Sequence, residues 1–119
     1  MHPSDNELQN LTESILNFRD QREWKQFHKP KDVAISLVLE ASELLEHFQW
    51  KTDEQIAAYV KSNQEGIGQE LADVLYWVLL LSHDLGIDLA SAARSKLELN
   101  ARKYPVEKAR GSAKKYTEL

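Results

Sequence analysis

The sequence predicts an all-α fold, an antiparallel bundle of the four-helix type. Apolar residues recur at three- and four-residue spacing along most of the chain, the period of a helix with one buried face. Gly and Pro are scarce, at four and three in 119 residues, so few breaks interrupt that period. Polar residues suited to capping stand where three of the periodic segments begin.

The first helix is expected from Ser4 to about Trp24, since Ser4 and Glu7 have capping-box spacing. "QFHKPK" then breaks the pattern, because Pro30 disfavours a helical conformation at Lys29. Pro30 itself fits the first turn of a second helix that runs to about Trp50. Thr52 and Gln55 offer a second cap for a short helix over 53–61, which "SNQEG" ends. A third long helix is expected over about 68–84, with Gly86 as its stop. Asp88 caps a last long helix that frays before Pro105. The remainder, "VEKARGSAKKYTEL", has too little apolar content to fold alone. This division gives one helical domain over 1–104 and a C-terminal tail over 105–119.

Helices of 17–21 residues are about 25–30 Å long. Those at 31–50 and 68–84 are apolar around much of their circumference, which calls for burial on more than one face. A chain of 119 residues can hardly cover both, so assembly through helix faces is expected.

Composition narrows the function. Without cysteine, disulfides, thiolate metal sites and a Cys nucleophile are excluded. The apolar run over 78–81 is far too short to span a membrane. No secretory signal opens the chain, and a cytoplasmic protein is expected. A formal net charge of −4 is a poor match for nucleic acid. Lys96, Arg102, Lys103, Lys108, Arg110, Lys114 and Lys115 do gather late in the chain. They form either a solvated face or a surface for a small polyanion.

The strongest signal lies in two stripes of carboxylates. Ser36, Glu40, Glu43, His47 and Trp50 share one side of the second helix; Gly66, Glu70, Asp73, Trp77 and Asp84 share one side of the third. Each stripe carries two acids one turn apart inside an apolar surround. Four ionised carboxylates cannot share a partly dry cleft uncompensated, so either some take up protons or a cation binds among them. All-oxygen ligands suit a hard cation, Mg²⁺ first and Mn²⁺ second. The Glu-x-x-His pairs of a di-iron bundle are missing, because Leu44 and Leu80 stand three residues before His47 and His83. Structural ion pairs with Arg or Lys are the competing reading.

On the last helix, Lys96, Asn100 and Lys103 fall on one side and offer donors to phosphate oxygens, with Tyr104 one turn beyond Asn100. Acids holding Mg²⁺ would stabilise phosphate charge and orient a water for in-line attack. Another carboxylate would accept the water's proton, Glu43 foremost among candidates that the spacing leaves open.

E-x-x-E at 40–43 followed by E-x-x-D at 70–73, on two helices of a small all-α chain, resembles the MazG-like nucleoside triphosphate pyrophosphohydrolases. The segments "REWKQFHKP", "EASELLEHFQWK", "GQELADVLYW" and "KLELNARKYPVEKARGSAKKYTEL" are similar to the dCTP pyrophosphatase branch. The resemblance implies hydrolysis between the α and β phosphates with Mg²⁺, giving a monophosphate and pyrophosphate. It implies Glu40, Glu43, Glu70 and Asp73 as metal ligands, and Lys96, Asn100 and Tyr104 as contacts to the triphosphate and sugar. Trp24, His28, Trp50 and the position of Trp77 match its base pocket. Trp77 stands where that branch usually has Tyr, with Tyr76 alongside, and Ser42 replaces a common Gly. The expectation is a homotetramer, a dimer of dimers, acting on dCTP or a modified dCTP to cleanse the nucleotide pool. A dUTP or broad-specificity pyrophosphatase is the nearest alternative. A non-catalytic helical interaction module with structural buried acids is the alternative from another class.

Overall fold

A computed structural model of the chain describes residues 3–119, with side chains from Asn6 onward. The Ser4 cap therefore lies outside the described side chains. The helices are α1 (Pro3–Gln21), α2 (Pro30–Glu46), α3 (Asp53–Ser62), α4 (Gln64–Asp84), α5 (Leu89–Lys103) and α6 (Val106–Ala109), with 3-10 turns at Lys25–Phe27 and Tyr116–Glu118. No strand occurs among the described residues. The chain forms two compact units, Met1–Gly86 and Ile87–Leu119.

In the first unit, α4 is the common partner of α2, α1 and α3, and α2 packs on it most extensively. Val33 from α2 and Leu79 and Leu80 from α4 are fully buried. Large apolar side chains elsewhere on these two helices stay open, among them Ile35, Val38, Leu39, Leu45 and Leu71.

Helix ends follow local chemistry. α1 stops at Gln21 rather than Trp24, because Glu23 turns left-handed at φ 53° and the Trp24 amide donates back to the Arg19 carbonyl. Pro30 occupies the first turn of α2, which ends at Glu46 rather than Trp50; residues 47–50 continue as turns. Thr52 and Gln55 form a reciprocal capping box at the head of α3. α4 begins at Gln64, four residues earlier than the expected start at Gly68. Gly66 and Gly68 each weaken a helix by about 1 kcal/mol, and packing against α2 outweighs that cost. Gly86, at φ 69°, ends this helix as expected.

The second unit opens with Asp88, which accepts from the Ser91 amide and caps α5. α5 ends at Lys103, before Pro105. The following segment is more ordered than its composition suggests: Tyr116 packs edge-on against Tyr104 at 6.0 Å, and the Lys103 ammonium sits 4.9 Å over the Tyr116 ring. Gly111 adopts φ 72°, which reverses the chain between these contacts.

Candidate functional site

Helical spacing puts Glu40 and Glu43 one turn apart on α2, and Glu70 and Asp73 one turn apart on α4. The two helices run antiparallel: His47 lies by Gly66, while Glu40 and Glu43 meet Glu70. Glu40, Glu43 and Glu70 each offer an oxygen within 4.8 Å of the others, a spacing that could hold one metal ion. Asp73 lies outside that trio, exposed, yet near enough for its charge to act on both Glu40 and Glu70.

These acids are poorly compensated. One carboxylate oxygen of Glu40 and one of Glu70 are buried without a hydrogen-bond partner. Desolvation, the hydrogen bond and charge of Glu43, and the charges of Asp73 and Glu70 push the Glu40 carboxyl up to about 7. Glu70 is raised by desolvation first, then by Glu43 and Asp73. Buried, unsatisfied, hard oxygen donors with raised proton affinity fit a divalent cation such as Mg²⁺. A cleft of about 570 Å³ adjoins the trio, lined by Glu43, Glu46, His47, Tyr59 and Glu70.

Beyond the acids along α4, Trp77 meets His28 edge-on at 5.3 Å and Tyr76 at 4.8 Å. Tyr76 also meets Phe18 at 6.3 Å, and Phe18 meets Trp24 at 5.7 Å. Four of the five aromatic or imidazole residues predicted for the base pocket are therefore linked in one chain of ring contacts. Trp50 is apart from it, 86% exposed. Burial lowers the proton affinity of His28, helped by the Arg19 charge and opposed by Asp84. His28 is neutral near pH 7 on this account, with a buried Nδ1 that has no partner. Lys96, Asn100, Lys103 and Tyr104 belong to the second unit. There Lys96 is exposed, Asn100 is half-buried, and the Asn100 carbonyl accepts from the Tyr104 amide at 2.8 Å.

Asp84 proved different from its stripe neighbours. It binds the Arg19 guanidinium through two bonds, at 2.7 and 3.0 Å, and Arg19 is 2% exposed. Sequence reasoning missed Arg19, which sits in the polar run "FRDQRE" without any distinguishing pattern. It also missed Tyr59, whose hydroxyl meets Nδ1 of His47. Only the Thr52–Gln55 cap, which fixes the start of α3, hinted at the register that brings Tyr59 there. Ser42, in place of a common Gly, turns away and donates to the Val38 carbonyl at 2.9 Å.

Residues 35–119 match the model of the MazG-like family. The dCTP pyrophosphatase 1 of Homo sapiens is 40% identical over 114 residues, which cover 94% of this chain and 67% of that protein. The Bos taurus dCTP pyrophosphatase 1 is 39% identical over the same length, covering 94% and 68%. Among solved structures, a pyrophosphatase from Archaeoglobus fulgidus superposes with a TM-score of 0.77 at 35% identity, covering 88% of this chain and 95% of that one. The chain belongs to the MazG-like family.

Proposed function

We propose that this protein is a nucleoside triphosphate pyrophosphohydrolase that cleaves dCTP, or a modified dCTP, to the monophosphate and pyrophosphate with Mg²⁺. The observation that carries the reading is the meeting of Glu40, Glu43 and Glu70 with buried, unpartnered oxygens on two of them. The dCTP preference is supported by relatives named for that activity.

In this reading Glu40, Glu43 and Glu70 hold the cation, with Asp73 as the fourth carboxylate. Bound there, Mg²⁺ supplies charge stabilisation to the phosphates of the bond being broken. Glu43, the most exposed of the trio, accepts a proton from the attacking water. Within one chain Trp24, His28, Tyr76 and Trp77 receive the base; Trp50, three residues beyond His47 at the other end of the acids and 86% exposed, does not share that pocket. Lys96, Asn100, Lys103 and Tyr104 contact the triphosphate and sugar, within a catalytic domain of residues 1–104 followed by a tail. The open apolar side chains of α2 and α4 favour a homo-oligomer, and we assign a homotetramer built as a dimer of dimers. Among the described residues no single helix is long and apolar enough to cross a membrane; we assign the protein a cytoplasmic role in cleansing the nucleotide pool.

The test is product analysis over a panel of canonical and 5-substituted nucleoside triphosphates, with and without Mg²⁺. Monophosphate and pyrophosphate from dCTP, abolished by EDTA, are expected. The same products from dUTP in preference would keep the chemistry and overturn the base. No turnover by folded protein would favour a non-catalytic helical module.

A further inference from the structure

The far end of the acid cleft contains a side chain that the reaction as described does not use. His47 follows Glu43 by one turn and caps α2. Its ring lies against α4 at Gly66: a Cβ there would be 3.7 Å from His47 Cε1. Tyr59 of α3 packs on the same ring, with centroids 5.6 Å apart, and its hydroxyl bonds Nδ1. Lys51 braces both partners. Its ammonium donates to the His47 carbonyl at 2.8 Å and sits 4.2 Å over the Tyr59 ring. Three elements thus fix one imidazole on the wall of the 570 Å³ cleft, beside Glu43, Glu46 and Glu70.

The Tyr59 hydroxyl meets Nδ1; taken as the donor, it leaves Nδ1 accepting and the proton on Nε2. Nε2 then has a donor to offer and no lone pair for a metal. His47 is also outside the trio whose oxygens meet the single-ion spacing. Its donor is suited to something the ion holds.

The antiparallel pairing of α2 and α4 gives the site a direction. Along α4, Trp77 with His28 lies on one side of the acids, and the cleft walled by His47 and Tyr59 opens on the other. A nucleotide with its base at Trp77 and its reacting phosphate at the acids extends its terminal phosphates toward His47. We propose that His47, positioned by Tyr59, donates a hydrogen bond from Nε2 to the terminal phosphates, the part that leaves as pyrophosphate. Glu46 lines the same end and repels bare phosphate, so the anion enters with its divalent cation. This inference rests on the pyrophosphohydrolase reading given above.

The experiment is calorimetric titration of the full chain with inorganic pyrophosphate in Mg²⁺, alongside dCTP kinetics, for wild type, His47→Leu, His47→Gln and Tyr59→Phe. Loss of a donor to a charged acceptor weakens binding by about tenfold or more. His47→Leu is expected to lose that much pyrophosphate affinity. His47→Gln, which retains an N–H donor of similar reach, should stay within about threefold of wild type. Tyr59→Phe should lower kcat more than it raises KM, and the ¹⁵N shift of His47 Nε2 should move when pyrophosphate is added to wild type. Unchanged pyrophosphate affinity in His47→Leu, or an equal loss in both His47 variants, would overturn the proposal. If wild type turns over no triphosphate, the parent reading fails. If wild type turns over dCTP and His47→Leu binds pyrophosphate normally, only this inference fails.

Discussion

The two ends of α4 carry carboxylates of opposite character. Near its start, Glu70 shares a crowded site with Glu40 and Glu43, has a buried oxygen without a partner, and is raised in proton affinity by desolvation and by its acidic neighbours. At its last residue, Asp84 is bound by Arg19 through two short bonds and lowered by that partner despite its own burial. Helix and side-chain chemistry are nearly the same; the neighbours differ. Asp84 shows what a structural ion pair looks like in this protein. Among the described residues the groups found to act on Glu40 and Glu70 are carboxylates and their own burial, and protons or a bound ion would compensate them.

The comparison breaks most sharply under substitution. Glu70→Gln is expected to lower the rate of pyrophosphate release by at least about a hundredfold, as loss of charge at a metal site does. The same change should leave the thermal stability of metal-free protein unchanged or raised, because it removes repulsion. A matching loss of stability in a denaturant titration would mean that Glu70 is structural. Arg19→Ala should do the reverse. It leaves Asp84 partly buried and unpaired, and about 3 kcal/mol of unfolding free energy should be lost; urea unfolding measures it.

Ligand addition sharpens the contrast further. Mg²⁺ at a hundred times its Kd adds about 2.7 kcal/mol to a protein that binds it only when folded. A thermal melt of wild type should therefore shift upward by several degrees, and the shift should vanish in Glu40→Gln but persist in Arg19→Ala at lower Tm. The smallest effect is one of pH. Because Arg19 holds Asp84 below the ordinary carboxylate value of 3.8, the unfolded chain takes up the proton first. The stability from this pair is complete above that value and is lost as pH falls through the folded one. Asp84→Asn should flatten that part of an acid titration of Tm, with little change near neutrality in its slope.

The same contrast explains what could be read from residues alone. The meeting of Glu40, Glu43 and Glu70 was legible because helical period is a local property, and acids inside apolar stripes conflict visibly with burial; Asp73, expected with them, lies outside the trio and exposed. Pro30, the Thr52–Gln55 box and Asp88 were legible as helix boundaries for the same local reason. The start of α4 was not, because the cost of Gly66 and Gly68 is set against packing on α2, which no short window contains. Arg19 and Asp84 join helices 65 residues apart, Tyr59 meets His47 across the turn between consecutive helices, and neither Arg19 nor Tyr59 has an unusual neighbourhood of its own. Asp84 itself looked like one more member of the acid stripe until its partner was placed.

The central claim is that the trio on α2 and α4 performs the hydrolysis. Its most direct test is pyrophosphate release from dCTP in Mg²⁺ by wild type and Glu43→Gln at equal concentration, with melting curves of both. The account predicts loss of at least about a thousandfold in rate for a variant that melts as wild type does. Near-normal turnover by folded Glu43→Gln would contradict it.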